Sequence, residues 1–263
     1  MKSTPRPLAP ATISEAEGVR YLHLGTPWVQ GAMRIRKSLS LELDYIQRMM
    51  AWMLMRPSAA LTHGRAVQLG LGAAAITRFC HSTLRMRCTA VELNPSVIDA
   101  CRMWFHLPQH SPRLEVVQCD AAAFVGDPDR YETAHALCVD LYDHDAAGPV
   151  LDSADFYAGC RRLLADGGAM SVNLFGRDAS FERSAERIAQ AFGAQQVVAL
   201  QPTREGNTVV LALKQVEIPD RAELARRADN IERRFKLPAK KWLRMLRPLP
   251  PAAAAPPIAP NGN

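Results

Sequence analysis

A repeated alternation of short apolar segments and amphipathic helical segments, which begins near residue 65, constrains the fold more than any other feature. Strands that are apolar on both faces and are separated by helices are typical of a parallel sheet that helices cover on each side. The sequence therefore predicts an α/β fold with a doubly wound, mostly parallel sheet. The apolar segments are AVQLG (66–70), CTAVEL (88–93), RLEVVQC (113–119), HALCVDLY (135–142) and AMSVNLF (169–175).

The regions on either side of this alternation follow other patterns. QQVVAL (195–200) and NTVVLAL (207–213) have no helix between them, which predicts an antiparallel hairpin at one edge of the sheet. Upstream of residue 60, YLHLG and WVQGAMRI precede a helix that begins near Leu41, which predicts a small β-hairpin module. The expected organisation is a flexible N-terminus (1–17), the hairpin with the first helix (18–60), a Rossmann-like domain (61–216), a basic amphipathic helix (217–247) and a Pro/Ala-rich disordered tail (248–263).

The composition excludes several classes of protein. Of the 263 residues, 48% are apolar, which suffices for a globular core and excludes disorder as the dominant state. No apolar run approaches the roughly 18 residues of a membrane-spanning helix, and prolines interrupt the N-terminal MKSTPRPLAP before any signal-peptide core. We therefore expect a cytoplasmic protein that does not contact membranes. Its six cysteines include no C-x-x-C pair, so we expect them to stay reduced and to bind no metal.

The net charge of +6 arises near the C-terminus, since residues 214–263 carry eleven Lys and Arg against five Asp and Glu. A positive field on a terminal segment could attract a nucleic acid such as RNA, an acidic partner or a membrane surface. A solvated helix is the favoured alternative, because apolar residues at helical spacing predict that one face packs onto the body of the protein. These residues are Leu224, Ala228, Ile231 and Phe235.

A glycine-containing turn follows the first strand of the alternation. In AVQLGLGAAAITRF, Gly70 and Gly72 fall where a strand ends and a helix begins, so a ligand could approach the backbone there. Glu92 ends the next strand, twenty residues after Gly72, where a carboxylate can accept hydrogen bonds from two ribose hydroxyls. The glycine turn and the acid together are more specific for a nucleoside site than either is alone.

Further acids occupy the equivalent place after the following strands. Asp120 follows VVQC, Asp140 ends LCVD, and Asp143 comes three residues later. Because the carboxyl ends of parallel strands form the ligand crevice, we expect Glu92, Asp120 and Asp140 to line one cleft. Asp120 could accept a hydrogen bond from an adenine amino group, and Asp140 could face a cationic substrate or take its proton. The alternative for each acid is a loop cap.

Several segments, taken together, resemble one family. Over roughly residues 20–213 the chain is similar to the spermidine synthase (polyamine aminopropyltransferase) family, a branch of the class I S-adenosylmethionine-dependent methyltransferase superfold. The likeness includes LGTPWVQ and the Tyr45 region upstream. Its main segments are LGLGAAAITRF, VELNPSVIDACR, VVQCDAAAFV and DLYDHDAAGPVLDSADFYAGCRRLLADGGAMSVN.

The resemblance implies a transferase of polyamine biosynthesis that moves an aminopropyl or related alkyl group from a sulfonium donor to a small amine. The donor would be S-adenosylmethionine or its decarboxylated form, without a metal, and the protein would form a homodimer through its N-terminal hairpins. Asp140 would orient or deprotonate the amine. The residues implied in catalysis are Asp140, Asp143 and Tyr45, and those implied in donor binding are Gln30, Gly70, Gly72, Glu92, Asp120 and Asp140.

The chain departs from the family pattern at three places. Ala73 replaces the family's acidic residue in the glycine turn, and Ile46 and Gln47 replace a His-Glu pair after Tyr45. PTREGNTVV lacks the tryptophan of the family's late Pro-x-Gly-x-Trp-Gly segment. Three hypotheses therefore stay open: aminopropyl transfer, methyl transfer from intact S-adenosylmethionine to a small molecule or RNA, and a nucleoside-binding scaffold with little turnover. The retained carboxylates Asp140 and Asp143 favour an enzyme.

Overall fold

The computed structural model describes residues 8–142, 151–175 and 179–249. The N-terminal module is an antiparallel sheet of three strands, β1 (Ala11–Ala16), β2 (Val19–Leu24) and β3 (Gly31–Arg34), in that order. The assignment of residues 1–17 to a flexible N-terminus was therefore wrong for β1. Glu17 and Gly18 both have positive φ, 51° and 75°, as in the two-residue turns that join antiparallel strands.

The helix predicted to begin near Leu41 is two short helices, α1 (Asp44–Met49) and α2 (Trp52–Met55). Between them the backbone forms 3₁₀-type hydrogen bonds, which join residues three apart. Met50 N–H donates to the Gln47 carbonyl, and Ala51 N–H donates to the Arg48 carbonyl. Both helices lie against the core, and the side chains of α2 are fully buried. This packing holds α1 at the carboxyl ends of the main-sheet strands.

The remaining elements form a mixed sheet with helices on both faces, which confirms the predicted fold class. The strands are β4 (Arg65–Leu69), β5 (Arg87–Glu92), β6 (Leu114–Gln118), β7 (Ala134–Val139), β8 (Leu164–Phe175), β9 (Val197–Leu200), β10 (Asn207–Leu213) and β11 (Leu246–Pro248). The helices are α3 (Ala75–Arg78), α4 (Pro95–Trp104), α5 (Ala121–Gly126), α6 (Ala154–Leu163), α7 (Ala179–Phe192), α8 (Arg221–Phe235) and α9 (Ala239–Met245).

The order of the strands determines where a ligand can bind. It is β11-β9-β10-β8-β7-β4-β5-β6, in which β4 to β8 pair in parallel and β9, β10 and β11 pair antiparallel. The chain moves outward from β4 to β6 and then returns to the other side of β4 with β7. A crevice opens at such a reversal, outside the carboxyl ends of β4 and β7.

The basic C-terminal segment, predicted as one helix over 217–247, forms α8, α9 and the short strand β11. Lys236, in the left-handed region at φ 58°, ends α8, and Pro238 directly precedes the first residue of α9. The predicted packing of α8 is confirmed, because Leu224, Ala228 and Ile231 are buried. Among the described residues, no helix has the length and apolar character needed to cross a membrane.

Candidate active site

A cleft of about 870 Å³ lies at the carboxyl ends of β4, β5 and β7, with the N-terminal module along one side. The structure brings the described candidate residues together on its walls, whereas Asp143 lies outside the described residues. The predicted shared cleft for Glu92, Asp120 and Asp140 is thus present. The candidates that line it are Gln30, Tyr45, Gly70, Gly72, Glu92, Asp120 and Asp140.

The turn after β4 can be built only with a glycine at its first position. Gly70 has φ +83°, and a Cβ there would lie 2.0 Å from the backbone oxygen of Asp140. Gly72 also has positive φ, and its Cβ would lie 3.1 Å from the backbone oxygen of Gln30. The two glycines therefore let three segments of backbone meet beneath the cleft.

The Glu92 carboxylate fastens this glycine turn to the end of β5. One oxygen accepts a hydrogen bond from Leu71 N–H at 2.9 Å, and the other accepts from Asn94 N–H at 2.9 Å. Burial raises the pKa of Glu92, and the backbone N–H donors oppose that rise. A carboxylate has about four acceptor sites, so Glu92 can also accept a hydrogen bond from a ligand in the cleft.

Asp120 caps α5, which is the structural alternative considered for this acid. Its Oδ1 accepts hydrogen bonds from Ala122 N–H at 2.7 Å and Ala123 N–H at 3.3 Å. The hydrogen bonds that it makes with described residues both use Oδ1, which leaves Oδ2 to accept from a ligand. Asp120 therefore combines a cap with a position on the cleft wall.

Asp140 follows β7 and faces the cleft between α1 and β8. Its Oδ2 accepts a hydrogen bond from the Tyr45 hydroxyl at 3.3 Å, and its Oδ1 accepts from Asn173 Nδ2 at 2.9 Å. Burial raises the pKa of Asp140 from 3.8 to about 6, although both hydrogen bonds favour the ionised form. Burial and the nearby Asp140 charge raise the pKa of Tyr45 well above 10, so Tyr45 stays a donor. A carboxylate with a pKa of about 6 can act as a base near neutral pH.

Sequence reasoning missed Asn173 and Asn207, which line the same cleft. Asn173 donates to Asp140 and accepts a hydrogen bond from Asn207 Nδ2 at 3.1 Å. The available signal was a single amide in the mostly apolar AMSVNLF. The Tyr142 hydroxyl bonds to the backbone of β8. It donates to the Asn173 carbonyl at 2.7 Å and accepts from Phe175 N–H at 2.6 Å.

The chain is similar to curated proteins along most of its length. A polyamine aminopropyltransferase from Chromobacterium violaceum is 30% identical over 241 residues, which cover 89% of this chain and 88% of that protein. The chain belongs to the polyamine aminopropyltransferase family. No family model matches the chain.

Solved structures share the fold of this family member. A probable spermidine synthase from Corynebacterium glutamicum has a TM-score of 0.69 at 17% identity, covering 86% of this chain and 88% of its own. Human methyltransferase-like protein 13, solved in complex with SAH, has a TM-score of 0.64 at 20% identity, covering 74% of this chain and 93% of its own. At these identities the likeness establishes a methyltransferase-like α/β fold.

Two of the residues that depart from the family pattern, Ala73 and Ile46, are buried, and Gln47 is half-buried. Ala73 packs against β3, where a Cβ on Gly31 would lie 2.5 Å from the Ala73 nitrogen. Ile46 belongs to the hydrophobic core, and Gln47 uses its side-chain amide to donate to the Leu41 carbonyl at 2.8 Å. Ala73, Ile46 and Gln47 therefore contribute no side chain to the described cleft wall.

The charge of the cleft wall is strongly one-sided. Among the described residues that line it there are five carboxylates and no Lys, Arg or His. Only Asp44 among them has a basic ion-pair partner in the described chain, since Arg48 lies 2.6 Å and Lys241 3.5 Å from its oxygens. Such a cleft attracts cations and repels anions. The five acids are Asp44, Glu92, Asp120, Asp140 and Glu205.

Proposed function

We propose that this protein transfers an aminopropyl group from decarboxylated S-adenosylmethionine to a small cationic amine. The single observation that carries the proposal is the half-buried Asp140 carboxylate, held by Tyr45 and Asn173 in a cleft whose described charges are all negative. Membership of the polyamine aminopropyltransferase family supports the same reaction.

The donor end of the cleft would be the side that carries Gly70, Gly72, Glu92 and Asp120. The glycine turn lines this side of the cleft, and Glu92 can accept hydrogen bonds from ribose hydroxyls. Oδ2 of Asp120 can accept from an adenine amino group. Gln30, on the loop before β3, would contact the same nucleoside.

The reaction needs positioning and a neutral nucleophile. The amine nitrogen forms the new C–N bond, and the C–S bond breaks with its electron pair going to sulfur, which leaves a neutral thioether. Asp140 would accept the proton that the amine loses, directly or through solvent. With a pKa of about 6, Asp140 is mostly ionised at neutral pH and can take this role.

The negative cleft favours the decarboxylated donor over the intact one. Decarboxylated S-adenosylmethionine carries a sulfonium and an ammonium group, whereas the intact donor adds a carboxylate. That carboxylate would meet five acids and no described basic residue on the cleft wall. The same charge pattern favours an acceptor that carries a positive group beyond its reacting amine.

The test compares donors and reactions on the full-length protein. Calorimetric titration with decarboxylated S-adenosylmethionine, S-adenosylmethionine and methylthioadenosine should show the tightest binding for the decarboxylated donor. With that donor and a panel of mono- and diamines, mass spectrometry should detect methylthioadenosine and the aminopropylated amine. Glu92→Gln should weaken donor binding, whereas Asp140→Asn should retain binding and lose transfer. Tighter binding of the intact donor, with methylated products, would replace the proposal by methyl transfer, and binding of none would favour a scaffold.

A further inference from the structure

A continuous chain of hydrogen-bonded side chains runs from the β9–β10 turn to the Asp140 carboxylate. Thr203 Oγ1 donates to Asn207 Oδ1 at 3.4 Å, and it accepts from the Asn207 backbone N–H at 3.1 Å. Asn207 Nδ2 donates to Asn173 Oδ1 at 3.1 Å, and Asn173 Nδ2 donates to Asp140 Oδ1 at 2.9 Å. Each of the three side chains thus donates a hydrogen bond to the next group on the way to the carboxylate.

The direction of this chain follows from the chemistry of its two ends. An ionised carboxylate only accepts hydrogen bonds, so Asn173 must present its NH₂ group to Asp140. Asn173 then offers its oxygen to Asn207, which must present its own NH₂ group. At the other end the Thr203 hydroxyl supplies a hydrogen to the Asn207 oxygen. A flip of either amide would place two acceptors or two donors face to face.

The fold builds this chain into the sheet. Asn207 is directly opposite Phe175 in the β10–β8 register, so Asn173, two residues before Phe175, is its diagonal neighbour on the same face. Thr203, Asn207 and Asn173 are all buried, with exposed fractions of 6%, 9% and 3%. Because water is largely excluded there, each amide depends on its partners for orientation.

We propose that Asn207 is a positioning residue, which acts through the Asn173 side-chain amide to hold Asp140 as a carboxylate aimed at the acceptor amine. This inference deepens the proposed function, because it rests on Asp140 as the base of that reaction. It also gives the PTREGNTVV segment, which lacks the family's tryptophan, a role in support of catalysis.

Other groups also face Asp140 in the described structure. Tyr45 donates from α1, the Cys138 thiol lies within β7, and Tyr142 follows Asp140 in the chain. Asp44 and Glu205 line the same cleft as carboxylates. Substitution of Asn207 changes none of these groups. A shift of the Asp140 pKa in an Asn207 variant therefore measures the effect of the Asn207–Asn173 hydrogen bond.

The expected consequence of losing Asn207 is a higher pKa for Asp140. Without the Asn207 donor, the Asn173 amide is free to rotate and to turn its oxygen toward the carboxylate. Hydrogen bonding to the ionised form weakens, and the pKa of Asp140 should rise by about half to one pH unit. The acid limb of the kcat/KM profile should move to higher pH by the same amount.

The direct experiment is carboxyl-carbon NMR of the ligand-free, full-length protein labelled at aspartate, with the Asp140 signal assigned by its loss in Asp140→Asn. Asn207→Leu should raise the Asp140 titration midpoint. Thr208→Val is the matched control, because Thr208 is buried on the adjacent, opposite-facing position of β10, and it should leave the midpoint unchanged. An unchanged midpoint in folded Asn207→Leu overturns the proposal.

A second variant covers the case in which Asn207→Leu does not fold. Thr203→Val removes the hydroxyl that orients Asn207 at nearly constant volume, and it should shift the Asp140 midpoint upward by a smaller amount. No shift would again overturn the inference. Because the NMR titration needs no turnover, absence of aminopropyl transfer in the wild-type protein would refute the proposed function while the Asn207 inference is still decided.

Discussion

Replacing the Asp140 carboxyl by an amide is expected to stabilise the fold at neutral pH while it removes the proposed base. The reason is the raised pKa of Asp140 in the folded protein, about 6 against the usual 3.8. For an acid with a raised folded-state pKa, ionisation opposes folding. The destabilisation is therefore absent below about pH 4 and complete above about pH 6.

The magnitude follows from the same difference. A shift of about two pH units corresponds to about 3 kcal/mol at about 1.4 kcal/mol per unit. Because the carboxyl is partly open to the cleft, we expect Asp140→Asn to gain about 2 kcal/mol in the free energy of unfolding at pH 7. For a protein of this size, that gain corresponds to a rise in Tm of about 4–8 °C. Asparagine can keep both hydrogen bonds, since the Tyr45 hydroxyl can accept as well as donate.

Urea denaturation of wild type and Asp140→Asn between pH 4 and pH 8 measures this difference directly. The variant should be more stable at pH 7, and the advantage should shrink as the pH falls toward 4. Asp129→Asn, which removes an exposed carboxyl outside the cleft, is the control and should change the free energy of unfolding little. A variant that is less stable than wild type at pH 7, or a difference that does not vary with pH, would refute the reasoning.

Two further substitutions test the architecture of the site and of the C-terminal segment. Gly70→Ala should weaken donor binding at least tenfold in calorimetry and lower Tm, because the added Cβ would lie 2.0 Å from the Asp140 carbonyl oxygen. Gly167→Ala is the control, because Gly167 has a similar positive φ and open space around it. It should lose only the conformational free energy of an alanine at positive φ, about 1 kcal/mol. Equal losses of stability in Gly70→Ala and Gly167→Ala would contradict the steric argument. Trp242→Ala should lower the free energy of unfolding by about 3–5 kcal/mol in urea melts, because Trp242 is 1% exposed. The exposed Arg233→Ala should change it little, and a similar loss in both would indicate that charge rather than packing holds the segment.

The sequence predicted the parallel sheet and the acids at its carboxyl edge because one local rule covers both. Apolar segments identify the strands, and parallel strands bring the residues that follow them to one edge. Glu92, Asp120 and Asp140 could therefore be placed in one cleft without knowledge of the strand order. Gly70 was found for a similar reason, since a glycine between a strand and a helix marks a close approach of backbone.

The residues that the sequence did not reveal depend on pairing between distant segments. Asn173 became visible as a partner of Asp140 only once β8 was seen beside β7, and Asn207 only once β10 was seen beside β8. β1 was missed because only three of the six residues of ATISEA are apolar, although its hairpin turn orders it. The break between α8 and α9 depends on the left-handed conformation of Lys236, which no periodic pattern contains.

The short strand β11 has a consequence for solubility. It covers the outer side of β9, whose four residues are buried, and it brings Arg247 and Pro248 to that margin of the sheet. A proline has no amide hydrogen to offer, and a brief, charged margin is a poor template for strands of another molecule. We therefore expect α9 and β11 to protect the edge of the sheet from aggregation. A chain that ends before α9 would expose β9 as an unpaired edge strand to which strands of other molecules could pair.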